Sequence, residues 1–235
     1  MIVLQHISKV YEVGEQPIYA LRDTTETIQP GEYIAIVGPS GSGKSTLLNI
    51  IGCLLRPSAG SYLLDGEDVS QLDDRTLSHV RQHNIGFIFQ SFHLVPRLTT
   101  LGNVALPMVF AGISSSERRA RALAALEAVG LGDRAQHRPN QLSVGQRQRA
   151  VIARAIIMHP KLLLADEPTG NLDTRSGQQV MDLLEGLNRQ GLTLLVVTHD
   201  PQVARRAKRV LILADGQIIK RMTGADFPRT SMPFS

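Results

Sequence analysis

Residues 34–45 read I-A-I-V-G-P-S-G-S-G-K-S, an apolar run followed by a glycine-rich loop that ends in Lys-Ser. The pattern G-x-x-x-x-G-K-S, placed after a strand and before a helix, is typical of a P-loop. Its glycines let backbone N–H groups close around phosphate oxygens, and the N-terminus of the following helix favours an anion. We expect Lys44 to reach the β- and γ-phosphates and the Ser45 hydroxyl to bind Mg²⁺. The candidate phosphate-binding residues are Gly38, Pro39, Ser40, Gly41, Ser42, Gly43, Lys44, Ser45 and Thr46.

A second apolar run, further along the chain, ends in two carboxylates. Residues 161–168 read K-L-L-L-A-D-E-P, so a buried strand delivers Asp166 and Glu167 at its carboxyl end. Ligands of open α/β sheets bind at that end of the strands. We therefore expect Asp166 to hold Mg²⁺ through a water molecule and Glu167 to polarise an attacking water as a general base.

The surrounding pattern alternates strands with helices, which favours an α/β fold with parallel strands. Short strands are predicted at 2–4, 19–21, 33–37, 162–165 and 192–197, and helices at 45–55 (ended by Pro57), 115–130, 144–158 and 176–189. A polar helix of about ten residues is predicted between strands at the two ends of 61–90. The helical block at about 91–160 interrupts the alternation. It predicts an inserted subdomain in a single domain of 1–235, whose core is 1–90 and 161–235.

Composition excludes several classes of protein. With 43% hydrophobic and 20% charged residues the chain is not disordered, and its apolar runs are too short to span a membrane. The N-terminus lacks the pattern of a secretory signal, and a single cysteine, Cys53, fits a reducing compartment and a packing role. Residues 201–235 carry seven Lys and Arg against two Asp, more than the net +4 of the whole chain, and this surplus is interpreted as a solvated helix face. His79 and His83 are expected to be exposed helix residues, because no further zinc ligand accompanies them.

Between the two motifs lies L-S-V-G-Q-R-Q-R at residues 142–149, and this order of motifs resembles the ATP-binding-cassette (ABC) ATPases. The resemblance covers nearly the whole chain. It implies a RecA-like core, an N-terminal antiparallel β subdomain and an inserted α-helical subdomain. In that comparison Tyr11 stacks on adenine, Gln90 is the Q-loop glutamine, Asp173 belongs to the D-loop, and His199 is the switch histidine.

The resemblance also implies the ligands and the assembly. ATP and Mg²⁺ are the expected cofactors, with the metal at Ser45, Gln90 and Asp166. Lys44, Gln90, Glu167 and His199 are the expected catalytic residues. The signature residues Ser143, Gly145 and Gln146 are expected to meet the γ-phosphate bound by a second copy, so the ATP state should be a homodimer. Val144 departs from the family's glycine, which puts the tightness of the closed dimer in question.

Residues 91–111 and the stretch A-D-E-P-T-G-N-L-D resemble the subgroup that serves macrolide export, lipoprotein release and cell-division complexes. This implies a permease of four membrane helices as partner, a periplasmic adaptor as a further partner, and a location at the cytoplasmic face of the inner membrane. Phe92, Leu94, Val95, Leu98 and Leu101 are candidates for contact with the permease. No nucleic acid is expected as a partner, because aromatic residues are scarce.

Two other functions stay open at this point. An import cassette shares the same motifs. A non-transport ATPase acting on DNA or ribosomes is disfavoured, because the 53 residues from Gln90 to Ser143 hold neither cysteines nor long heptads and the chain has one cassette.

Overall fold

A computed structural model describes residues 1–14 and 16–229 of the chain. The strands and longer helices are β1 (Ile2–Val13), β2 (Gln16–Ile28), β3 (Tyr33–Val37), α1 (Lys44–Ile51), β4 (Ala59–Leu64), β5 (Glu67–Asp68), α2 (Asp74–Asn84), β6 (Ile85–Ile88), α3 (Thr100–Phe110), α4 (Ser115–Ala128), α5 (Val144–Ile156), β7 (Leu162–Asp166), α6 (Thr174–Arg189), β8 (Thr193–Val197), α7 (Pro201–Arg206), β9 (Arg209–Ala214) and β10 (Gln217–Thr223). Single 3₁₀ turns occupy Val69–Gln71, Gly132–Arg134 and Pro139–Gln141.

The core is a six-stranded sheet in the order β10-β9-β3-β8-β7-β6. Strands β9, β3, β8, β7 and β6 run parallel, and β10 pairs antiparallel with β9 at one edge. Every residue of β3 and β8 is buried, as expected for parallel strands covered on both faces. Because these strands run in the same direction, the segments that follow β3, β7 and β8 all leave the sheet at the carboxyl end of the strands.

A second, antiparallel sheet in the order β2-β1-β4-β5 covers the helix that follows the P-loop. Leu4, Ile7 and Leu21 from this sheet join one apolar cluster with Leu47 and Ile50 of α1. Helix α1 is therefore packed between the two sheets, which fixes the position of its N-terminus. The α/β fold with an antiparallel β subdomain is confirmed.

Helices α3, α4 and α5 build a third apolar cluster around Val104, Met108, Ala122, Leu126 and Ala153. Helix α5 also contacts the core of the protein. Its Val151 and Ile152 pack in the apolar cluster between the core sheet and the helices on one of its faces, called the core cluster below. The predicted helical subdomain corresponds to these three helices. Residues 230–235, included in the predicted core, lie outside the described residues.

Several predicted elements differ from the structure. The helix predicted over 45–55 ends at Ile51, because Gly52 and the left-handed Cys53 (φ 55°) turn the chain well before Pro57. The three-residue strands predicted near each end of the N-terminal hairpin are parts of the longer β1 and β2. The sequence pattern did not predict α3, which has Pro107 within it, or the β9–β10 hairpin.

The basic C-terminal surplus is not a solvated helix face, so that interpretation was wrong. Arg209 donates to Glu26 (2.7 Å) and to Glu32 (2.8 Å), and Arg221 Nε donates to Glu26 (2.7 Å). Arg206 pairs with carboxylates of α6. Three of the seven C-terminal cations are thus paired with carboxylates from other parts of the fold. Among the described residues no helix is both long and apolar enough to cross a membrane.

Candidate functional site

The P-loop is shaped by glycines whose conformation and surroundings exclude a side chain. Gly41 (φ 79°) and Gly43 (φ 99°) adopt left-handed conformations. A Cβ atom on Gly38 would lie 2.2 Å from the Leu213 carbonyl, and one on Gly43 would lie 2.3 Å from the Ala20 carbonyl. The loop is therefore held between β9 and β2, with its backbone free to surround a ligand of phosphate size.

The loop opens α1, whose first turn offers N–H groups without acidic neighbours. Lys44 Nζ donates to the carbonyls of Gly38 (2.9 Å) and Pro39 (2.8 Å), so the ammonium group lies over the loop. Burial lowers the pKa of Lys44, while the charges of Glu167 and Asp166 oppose that shift. The Ser42 hydroxyl is buried and has no hydrogen-bond partner among the residues that the structure describes. A polar atom without a partner beside a cationic cradle fits an oxyanion ligand.

Asp166, the last residue of β7, faces the start of α1. Ser45 Oγ donates to Asp166 Oδ2 at 3.2 Å. Burial raises the pKa of Asp166, and the hydrogen bond from Ser45 and the charge of Lys44 oppose the increase. A hydroxyl and a carboxylate are oxygen ligands suited to Mg²⁺, which commonly completes its shell with phosphate oxygens and water. Within the described ranges, no three His, Cys, Asp or Glu residues are grouped to hold a metal by themselves. The residues present therefore fit an ion shared with a bound phosphate.

Glu167 follows in a strained backbone conformation. Its φ is 49°, its N–H donates to the Val197 carbonyl (3.0 Å), and its side chain is only 13% exposed. Oε1 lies 2.9 Å from His199 Nδ1, which follows β8. Left-handed non-glycine residues are uncommon and concentrate at functional sites. The strain holds the carboxylate at the sheet edge, close to an imidazole that orients it.

A buried glutamine of α5, which the sequence reasoning did not identify, supports the next residue. Gln148 is 2% exposed, and its Nε2 donates to the Pro168 carbonyl at 2.9 Å. Its position in the sequence could have indicated burial, because Gln148 lies one helical turn before the buried Ile152 on the same face of α5. A polar residue in an apolar stripe indicates a specific hydrogen bond.

The signature residues form the N-terminal cap of α5. Ser143 Oγ accepts from the Gln146 N–H (3.2 Å), and Gln146 Oε1 accepts from the Ser143 N–H (2.9 Å), a reciprocal capping box. Gly145 lies against α6, where a Cβ atom would be 3.1 Å from Ser176 Oγ. Val144 is 37% exposed. This helix end thus faces outward, with a branched apolar side chain at its first position.

Three other predicted residues occupy separate places. Tyr11 is exposed on β1 opposite Ile18, in the hairpin whose second strand contacts the P-loop. Gln90 is exposed after β6, and its carbonyl accepts from Asn171 Nδ2 (3.0 Å). Asp173 caps α6 by accepting from the Ser176 N–H (2.9 Å).

The structure thus brings five predicted residues together at the carboxyl end of the core strands: Lys44, Ser45, Asp166, Glu167 and His199. In the part of the chain that the structure describes, no hydrogen bond joins this group to Tyr11, Gln90 or Ser143.

A cavity of about 720 Å³ lies at the amino end of the core strands, beside Leu162 at the start of β7. Its charged side chains are already paired, Lys161 with Asp65 (2.8 Å) and Arg121 with Glu117 (3.3 Å). These paired charges give no sign of a ligand, and the P-loop remains the candidate site.

Comparisons with known proteins agree with this geometry. The profile of the ABC transporter family matches residues 21–170. The ABC transporter ATP-binding protein YknY of Bacillus subtilis is 51% identical over 224 residues, which cover 95% of this chain and 97% of YknY. The macrolide export ATP-binding/permease protein MacB of Rhodopseudomonas palustris is 51% identical over 99% of this chain but only 36% of its own length. A dimeric ATP-binding cassette, MJ0796, in a post-hydrolysis state bound to ADP and Pi superimposes with a TM-score of 0.89 at 46% identity, covering 97% of this chain and all of that one.

Proposed function

The chain belongs to the family of ABC transporter ATP-binding proteins, and from that membership we propose that it drives export through a permease like that of the MacB proteins. The observation that carries the proposal is the 51% identity to a macrolide export protein over 99% of this chain. That relative joins ATP-binding and permease functions in its name, and this chain spans about a third of its length.

As a member of this family the chain is an ATP hydrolase, and the site residues suggest how it works. The P-loop amides and Lys44 bind the β- and γ-phosphates, since they form the cationic cradle at the start of α1. A Mg²⁺ ion held by Ser45 and Asp166, with Gln90 as a further ligand, would supply positive charge to the phosphates. Tyr11 binds the adenine ring from the neighbouring hairpin.

The hydrolytic step assigned to Glu167 is a proton transfer. A water molecule attacks the γ-phosphorus while its proton passes to the Glu167 carboxylate, and the bond to the ADP oxygen breaks. His199, with Nδ1 2.9 Å from Glu167 Oε1, holds the carboxylate in place and would contact the γ-phosphate. The products are ADP and phosphate, with the proton released from Glu167 afterwards.

The form of α5 supports the proposal that the chain dimerises around two ATP molecules. This helix has an exposed N-terminus capped by Ser143 and no acidic residue in its first turn. Such an end attracts an anion. We infer that Ser143, Gly145 and Gln146 meet the γ-phosphate held by the partner's P-loop, and that Asp173 lies at the same interface. The dimeric state of the MJ0796 cassettes supports a dimer.

The contact with the permease is assigned to exposed apolar residues of the helical subdomain. Phe110 is 76% exposed and Val109 46% at the end of α3, and Val95 is also exposed. Phe92 and Leu94, candidates from the sequence, instead pack partly on the core. Exposed apolar residues of this size on one subdomain indicate a protein-binding surface. This contact would place the chain at the cytoplasmic face of the membrane, with an adaptor on the far side as a further partner.

The test is reconstitution with a four-helix permease of the MacB type. Proteoliposomes should show ATP hydrolysis stimulated by the permease and outward movement of substrate. Phe110→Ser should abolish the stimulation, whereas the matched control Ile219→Ser, 61% exposed on β10, should retain it. Substrate movement in the inward direction would support an import cassette. ATP hydrolysis stimulated by DNA or ribosomes would support the non-transport function.

A further inference from the structure

The segment 90–95, called the linker below, joins β6 of the core to the helical subdomain. Phe92 packs against the core cluster, and Leu94 packs against both the core cluster and the cluster of α3, α4 and α5. Asn103 of α3, which is fully buried, accepts from the Val95 N–H (2.7 Å) and donates to the Val95 carbonyl (3.1 Å). The linker therefore contacts both units and begins at Gln90.

An arginine of helix α5 forms hydrogen bonds to this linker. Arg154 Nη1 donates to the His93 carbonyl at 2.6 Å, and Nη2 donates to the Phe92 carbonyl at 2.9 Å. Within the described residues Arg154 has no carboxylate partner, and burial lowers its pKa. Taking a guanidinium out of water without an ion pair is unfavourable, so the two linker carbonyls are its main compensation.

Two further contacts and a local strain indicate that the linker is held rather than loosely packed. Arg147 of α5 lies over the Phe92 ring, 5.2 Å from its centroid. At the other end Asn171 donates to the Gln90 carbonyl. His93 has a left-handed φ of 47°, a conformation that needs support from its surroundings. Arg154 supplies that support by binding the His93 carbonyl.

The same helix carries the signature at its other end. Ser143 caps α5, and Arg154 lies eleven residues later, which is about 16 Å along a rigid helix. Any rotation of α5 that brings Ser143 to the partner's nucleotide must therefore also move Arg154 and the carbonyls bound to it.

We propose that Arg154 is a positioning residue that makes Gln90 follow the signature helix of its own chain. This inference rests on the proposed function, in which Gln90 acts at the phosphates and Ser143 at the partner's nucleotide. Docking of α5 at one nucleotide then sets Gln90 at the other, because the linker between them is bound to the helix. The two nucleotide sites of the dimer are coupled through this contact.

The first test is Arg154→Met, with Arg121→Met as the matched control. Arg121 also lies in the helical subdomain and donates to a main-chain carbonyl, that of Ile157 (2.8 Å), but away from the linker. For Arg154→Met we expect kcat for ATP hydrolysis to fall at least about tenfold with KM little changed, because both charge-assisted hydrogen bonds to the linker are lost. Hydrogen exchange of the linker amides should rise about tenfold by the same reasoning. Arg121→Met should change neither quantity. Unchanged linker exchange in Arg154→Met would overturn the proposal.

The second test separates positioning from a general structural role. In a Gln90→Ala background, Arg154→Met should lower kcat no further, because the residue that it positions is gone. An equal fall in both backgrounds would overturn the coupling and leave the role of Gln90 intact. A normal kcat for Gln90→Ala would instead refute the function assigned to Gln90. Arg154→Lys keeps one donor and should lie between wild type and Arg154→Met, which guards against a variant that fails to fold.

Discussion

Glu167→Gln is the substitution that tests the catalytic assignment and the dimer together. It keeps the size of the side chain and its contact with His199 but removes the charge that accepts the proton from water. Loss of a general base lowers a rate by about 10²–10⁴, and because the side chain is only 13% exposed, bulk water cannot readily replace it. ATP binding should be retained, since Lys44 and the P-loop amides are unchanged and one negative charge near the phosphates is removed.

Slow hydrolysis with intact binding should then accumulate a closed dimer. We expect Glu167→Gln to elute at twice the monomer mass in gel filtration with ATP and as a monomer without it. Wild type alone should remain mainly monomeric, because it destroys the ligand at its interface. The double variant with Ser143→Arg should stay monomeric, since a bulky cation replaces the helix cap at the interface.

The control for this experiment is Glu185→Gln, which breaks an ion pair with Arg206 away from the site and should hydrolyse ATP normally. Normal hydrolysis by Glu167→Gln would refute the assignment of Glu167 as the base. An inactive Glu167→Gln that stays monomeric at saturating ATP would point instead to an interface weakened by Val144, with dimerisation left to the permease.

Three other predictions concern single side chains. Lys44→Ala should weaken ATP binding at least about tenfold in equilibrium titration, because it removes the ammonium group over Gly38 and Pro39; near-normal affinity would exclude this loop as the nucleotide site. Tyr11→Ala should weaken ATP binding by about 1–3 kcal/mol if the ring stacks on adenine, and an equal loss for inorganic triphosphate would argue against stacking. Burial raises the pKa of the Cys53 thiol to about 11, so stability from its burial is complete below the unfolded pKa and is lost as pH rises through about 11. The thiol should react with Ellman's reagent at pH 8 far more slowly in the native than in the denatured protein, and equal rates would contradict its burial.

The sequence was most informative where chemistry is local. The P-loop and the strand that leads to Asp166 and Glu167 can each be recognised from eight residues. The structure brings them to the same end of the sheet because β3 and β7 run in the same direction. A role for His199, by contrast, was predicted only because the order of motifs in the chain resembles a known family. An isolated histidine after a strand has many uses, and only the 2.9 Å contact with Glu167 distinguishes this one.

Sequence patterns were least informative where distant segments decide the outcome. The end of α1 was misplaced because a left-handed cysteine, which has no sequence signature, turns the chain before the proline. The C-terminal charges were misinterpreted because Arg209 and Arg221 meet Glu26, about 180–195 residues earlier in the chain. Gln148 and Arg154 were not identified because their partners are main-chain carbonyls, which look the same at every position of a sequence.

The placement of α5 relates these observations to the mechanism. Two segments that carry proposed catalytic residues each receive a hydrogen-bonding side chain from this helix, Gln148 at the loop of Glu167 and Arg154 at the linker that begins with Gln90. The N-terminus of the same helix points outward, capped by Ser143 and free of acidic residues. A helix bound at both loops cannot shift its outward end without disturbing them. In the dimer that we propose, contact with a second subunit's phosphate would therefore be transmitted through the rigid helix to the loops of Glu167 and Gln90 in the same chain. Val144, at the first position of the helix and 37% exposed, would lie beside that contact.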